Sequence, residues 1–97
     1  MALTLCVLLW ALPGRDDQLA EYEDAVLALL PAHGGTVVSR VRNTEANESP
    51  TEVQVIELVD EAALASFMAD PERQRLAPLR DESIARTEVI RVAPVHA

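Results

Sequence analysis

The sequence predicts a single α+β domain whose elements run strand, helix, strand, strand, helix, strand. Three observations carry that expectation. The chain has 97 residues, enough for one hydrophobic core and too few for a second domain. Its apolar residues change along the chain between alternation at period two and recurrence every three or four positions. The pairs Pro13-Gly14, Gly34-Gly35 and Asp70-Pro71 fall between these stretches, where turn formers belong.

The first strand runs from Leu3 to Leu12. It places Leu3, Leu5, Val7 and Leu9 on one face and Cys6, Leu8 and Trp10 on the other, so both faces are apolar and the strand belongs in the middle of a sheet. Asp16 and Asp17 suit a helix N-terminus by capping and by charge. From Leu19 the apolar positions Tyr22, Val26, Leu29 and Leu30 form a stripe, with the acidic Glu21, Glu23 and Asp24 assigned to the solvated side. The helix is expected to end over Pro31 to His33, and Gly34-Gly35 can take the left-handed conformation that turns the chain.

Thr36 to Arg42 reads as a strand rich in β-branched residues, and Arg40 with Arg42 on one face suits a sheet edge. The polar run Asn43 to Thr51 is a loop longer than a tight hairpin. Glu52 to Val59 is the next strand, with Val53, Val55 and Val59 on one face and Gln54, Ile56 and Leu58 on the other. Asp60 caps a second helix with an inner stripe of Leu64, Phe67 and Met68. Pro71 opens a further helical piece, Glu72 to Arg80, with Leu76 and Leu79 inward and Pro78 straining its last turn. Ala85 to Val92 is the last strand.

This order matches the ferredoxin-like split βαβ arrangement, a four-stranded antiparallel sheet with helices on one face. Two helices shield only one side of such a sheet. Leu8, Trp10, Ile56, Leu58 and Val89 are expected to leave the other side apolar, which predicts a homodimer packed through that face.

Sixteen acidic against eight basic residues give a net charge of -8, which disfavours nucleic acid and anionic membrane surfaces as partners. The single cysteine, Cys6, cannot form an intramolecular disulfide and fits a reducing compartment, so a cytoplasmic location is expected. Ala2 to Leu12 imitates a signal peptide but lacks a basic start and a small-x-small cleavage site.

Tyr22-Glu23, His33-Gly34-Gly35, Arg40, Ile56-Glu57, Asp70-Pro71 and Leu79-Arg80 stand in an order and spacing that span most of the chain. In these the chain resembles the dimeric α/β-barrel superfamily, which includes the antibiotic-biosynthesis monooxygenase-like proteins, and within it the domain of unknown function 1330 family. Leu58 and Arg73 stand where members of that family usually carry aromatics. The resemblance implies a dimeric α/β barrel.

Glu57 is the first candidate for chemistry, because a carboxylate flanked by Val55 and Val59 needs a donor or else takes a raised pKa suited to a general base. The resemblance implies Arg80 and Arg40 as its partners. The alternative is a structural ion pair. His33 can act as a proton shuttle if a carboxylate reaches it, or can simply sit against the negative end of its helix. Tyr22 and Trp10 can line a helix-sheet pocket for a small organic ligand, or serve as core. His96, in the tail, is assigned no role.

No phosphate loop, nucleophile elbow, paired cysteines or metal-ligand spacing is present, so neither a metal nor a cofactor is expected. The reading is a cofactor-independent enzyme or small-molecule binder with Glu57, Arg80, His33 and Tyr22 around its pocket. The alternative is a non-catalytic dimerisation or effector-sensing module.

Overall fold

The computed structural model describes residues 2–95, so His96 lies outside the described residues. The elements are β1 (Leu3–Ala11), α1 (Asp16–Leu27), a 3-10 turn (Leu30–His33), β2 (Gly35–Arg42), β3 (Glu52–Leu58), α2 (Glu61–Met68), α3 (Pro71–Arg75), α4 (Ala77–Ser83) and β4 (Ile84–Val92). The strands form one antiparallel sheet in the order β2-β3-β1-β4. This is the ferredoxin-like topology, with the doubly apolar β1 inside and the arginine-bearing β2 at an edge.

One face of the sheet packs on the helices. Leu5, Leu9, Ile56 and Leu58 are each at most 4% exposed and join Tyr22, Val26, Leu30 and Phe67 in the core. Register explains the grouping: Leu3 lies opposite Leu58 and Leu5 opposite Ile56, and directly opposed residues share a face. Ile56 and Leu58 are therefore core residues and do not join Leu8 and Trp10 on the uncovered side. Val89 also corrects the expectation, since it pairs with Val7 on the helix side, where it stays exposed. The reason is that β1 is apolar on both faces, so alternation alone cannot choose the inner one.

The open face carries Cys6, Leu8 and Trp10 from β1, Val53, Val55 and Glu57 from β3, Val41 from β2, and Ile90 and Val92 from β4. The Cα framework measures 38 × 38 × 16 Å, the thickness of a sheet with one helical layer.

Helix boundaries follow local chemistry. Arg15, not an aspartate, occupies the N-cap of α1, and Asp16 and Asp17 serve the first turn by charge alone. Gly34 holds φ +72° and closes the 3-10 turn. Gly35 answers a different need: a Cβ there would meet Leu30 Cδ2 at 2.7 Å. Asp60 caps α2 by accepting from Ala63 N at 2.8 Å, and Asp70 caps α3 by accepting from Glu72 N at 2.8 Å. The segment after Asp70 splits at Leu76 into α3 and α4, which places Pro78 in a first turn, where the missing N–H costs nothing, and not in a strained last turn. No helix among the described residues is long and apolar enough to cross a membrane.

Candidate functional site

Between the helices and the β1, β3 and β4 side of the sheet lies a cleft of about 520 Å³. Its floor is apolar, made by Leu5, Val7, Leu9, Ile56 and Val89, and Leu64, Phe67 and Met68 of α2 form one wall. Tyr22 and Glu23 enter from α1 and Gln54 from β3. Three of the chain's eight arginines, Arg73, Arg80 and Arg91, also line it. An acidic protein has thus gathered positive charge at one apolar hollow.

The polar end is built from α1 and β3. Glu23 is only 5% exposed, because position 23 lies four residues from Leu19 and from Leu27 and so falls within the buried stripe. Its assignment to the solvated side is corrected accordingly. Gln54 Nε2 donates to Glu23 Oε1 and to Glu52 Oε2, both at 2.7 Å. Burial pushes the Glu23 carboxyl above its ordinary value; the Gln54 hydrogen bond opposes this, the Glu52 charge adds to it, and Arg40 and Arg73 draw it back. Burial likewise raises the Tyr22 phenol, with Arg73 opposing.

Beyond Gln54 the network closes. Arg40 Nε donates to Glu52 Oε2 at 2.8 Å and its Nη2 to Glu52 Oε1 at 3.2 Å, a two-pronged pair. The same guanidinium donates to Asp24 Oδ1 at 2.6 Å and to the Ala20 carbonyl at 3.2 Å. On the cleft side matters differ. Arg73 Nε and Thr87 Oγ1, on two residues lining the cleft, are buried without a hydrogen-bond partner among the described residues. Each such group costs roughly 1–3 kcal/mol while it stays unpaired.

The structure brings Tyr22 and Arg80 to this cleft and sends the other sequence candidates elsewhere. Glu57 is exposed on the open face, opposite Thr4 and Thr36, on the far side of the sheet from Arg40 and Arg80. Its expected pairing with those arginines is therefore not formed: Arg40 takes Glu52, and the carboxylate nearest Arg80 is Asp81 at 3.8 Å. Trp10 also lies on the open face, with the Arg86 guanidinium 4.4 Å from its ring centre and Nε1 donating to the Glu48 carbonyl at 3.0 Å. It borders a second, polar hollow of about 400 Å³ beside the 43–51 loop. His33 lies outside the cleft, within 2.6 Å of Asp70 Oδ2 and of Ser66 Oγ, so the carboxylate that a shuttle needs is present.

Sequence reasoning missed Glu23, Glu52, Gln54 and Arg73. Glu23 could have been found from its spacing to Leu19 and Leu27. Glu52 and Gln54 alternate with valines and declare their face only through the pairing of Leu9 with Glu52 and Val7 with Gln54. Arg73, 5.4 Å from the centre of the Phe67 ring, depends on the turn at Asp70-Pro71.

Comparison with solved structures agrees on the fold. A protein of unknown function from Rhodopseudomonas palustris superposes with a TM-score of 0.77 at 17% identity, over 99% of this chain and 84% of its own. A candidate antibiotic biosynthesis monooxygenase from Bacteroides thetaiotaomicron gives 0.74 at 19% identity, over 98% and 90%. A dimeric protein of unknown function with a ferredoxin-like fold from Bacteroides fragilis gives 0.70 at 12% identity, over 94% of each chain. No curated protein matches the sequence. The family model described as "Domain of unknown function (DUF1330)" matches residues 14–93, which take in every element lining the cleft except β1. The chain belongs to that family.

Proposed function

We propose that the cleft binds a small, largely apolar organic molecule carrying an acidic oxygen group, with Glu23 facing it as the proton-exchanging residue. One observation carries this reading: an apolar hollow whose polar lining includes the unpaired buried Arg73 Nε and Thr87 Oγ1 next to a buried carboxyl held above its ordinary pKa. Arg73 and Arg80 supply the charge that meets an anionic group, and Tyr22 a phenol at the cleft wall. Glu23, its carboxyl raised, can receive or return a proton at an adjacent carbon or oxygen. The reading invokes no cofactor. Of the residues singled out from sequence, Tyr22 and Arg80 line this site; Glu57, Trp10, Arg40 and His33 do not.

A thermal-shift comparison tests it. Aromatic and short-chain carboxylates, each against its neutral amide, should divide into stabilisers and inert compounds. At ten times its dissociation constant a true ligand raises Tm by roughly 5–10 °C in a chain of this size. Arg73→Gln should abolish the shift without lowering Tm in the absence of ligand. Equal shifts with acids and amides, or none with either, would sink the assignment.

A second reading stands beside the first, that the open face serves self-assembly. Val41, Ile90 and Val92 are 56%, 48% and 38% exposed on a face that no helix among the described residues covers, and the similar structure from Bacteroides fragilis is of a dimeric protein. A second copy of the chain, packed through the same face by a two-fold axis, would bury this row. Sedimentation should find a dimer at micromolar concentration and a monomer for Ile90→Arg. A monomeric parent overturns this reading and leaves the first untouched.

A further inference from the structure

We propose that Ser66, His33 and Asp70 form a second reactive site, in which Ser66 is a nucleophile toward small activated esters, His33 its base and Asp70 the group that orients the base. The three come from separate elements: His33 ends the 3-10 turn, Ser66 lies in the last turn of α2, and Asp70 caps α3. His33 Nδ1 lies 2.6 Å from Ser66 Oγ, and His33 Nε2 lies 2.6 Å from Asp70 Oδ2.

The partners decide the polarity of this chain of hydrogen bonds. An ionised Asp70 can only accept, so in the neutral ring the N–H sits on Nε2 and the lone pair on Nδ1. The Ser66 hydroxyl must then donate to Nδ1. That is the arrangement a nucleophile and its general base require. The supports are fixed as well. Asp70 Oδ1 is already engaged by Glu72 N, which leaves Oδ2 for the imidazole, and Phe67 packs edge-on against His33 at 6.0 Å between ring centres.

Exposure is graded in the order the chemistry needs. The His33 and Asp70 side chains are each 14% exposed, whereas Ser66 is open to solvent. A serine inside a helix ordinarily returns its hydroxyl to the carbonyl one turn back, and Ser66 gives it to another element instead. None of the three residues lines the cleft; Phe67 is the wall between the two places. The site therefore stands or falls independently of the cleft.

In the step, Ser66 Oγ bonds to the ester carbonyl carbon while its proton passes to His33 Nδ1. The bond from that carbon to the leaving oxygen breaks, and the leaving oxygen takes the proton from His33. Water then enters by the same route, releasing the carboxylic acid and restoring Ser66.

The test uses the full chain with a fluorophosphonate probe and with p-nitrophenyl acetate. The chain contains no lysine, which removes the commonest competing acylation site. Intact mass and peptide fragmentation should place one adduct on Ser66, and Ser66→Ala should lose it. Asp70→Asn keeps an oxygen to cap α3 but reverses the tautomer preference of His33, so labelling should slow by roughly 100-fold, and His33→Gln should match it. Circular dichroism confirms that each variant is folded. No adduct at Ser66 of the folded parent overturns the proposal, and so does labelling of Asp70→Asn at the parental rate.

Discussion

Both faces of the sheet carry rows of apolar side chains, yet only one row is the inside of the folded chain. On the covered side Leu5, Leu9, Ile56 and Leu58 are at most 4% exposed; on the open side Val41 and Ile90 expose about half their surface. Polarity does not separate the two. The covered face also holds Glu52 and Gln54, each 2% exposed, while charged residues on the open face, Glu57 among them, meet solvent. What separates the faces is whether partners exist. Glu23 and Asp24 of α1 meet Arg40 of the edge strand β2 in one continuous network around the buried polar residues, and among the described residues no helix lies over Leu8 or Ile90.

The sharpest way to break this comparison is to truncate one residue from each row. Leu58→Ala should cost about 3 kcal/mol in guanidinium unfolding, since Leu58 is 1% exposed and its loss leaves a cavity under α2. Ile90→Ala should stay within about 0.5 kcal/mol of the parent in dilute solution. Similar losses at the two positions would mean that the open face is already interior in the single subunit.

Next in size is the network itself. Arg40→Met removes the two guanidinium donors to the buried Glu52 carboxylate and should cost about 2 kcal/mol, less than a fully buried pair because the guanidinium is 28% exposed and Gln54 still donates. Adding Glu52→Gln should recover part of that loss, because the stranded charge is gone. A single variant as stable as the parent would show the network to be ornamental to the fold.

The same contrast explains what was legible in the sequence. Element order, the edge position of β2 and the cap at Asp60 depend on neighbours within a few residues, and each could be read from local pattern. The inner face of β3 could not, because it is set by pairing with β1 across 43 to 55 residues, and a slip of one position exchanges the two faces. Glu57 illustrates the result. Placed inside, it is a buried carboxylate in need of an arginine; placed by the real register, it is a solvated side chain, and the buried carboxylates are Glu23 and Glu52. His33 was legible as a candidate, whereas its partners Ser66 and Asp70 follow only once α2 is folded against the 3-10 turn.

The smallest effect is also the most diagnostic of the cleft. Burial raises the Glu23 carboxyl above its ordinary value of 4.5, so the folded chain holds that proton more tightly than the unfolded chain does. Below the ordinary value both states carry the proton and Glu23 costs nothing. As pH rises through the folded value, the ionised group remains in its buried setting and stability falls. Glu23→Gln keeps an oxygen for the Gln54 amide and has no charge to bury. Unfolding curves of parent and variant should therefore coincide near about pH 4 and separate by about pH 7, with the variant the more stable. A constant offset across that range would mean that Glu23 is solvated or fully compensated in the fold, and it would remove the proton-exchanging residue from the cleft.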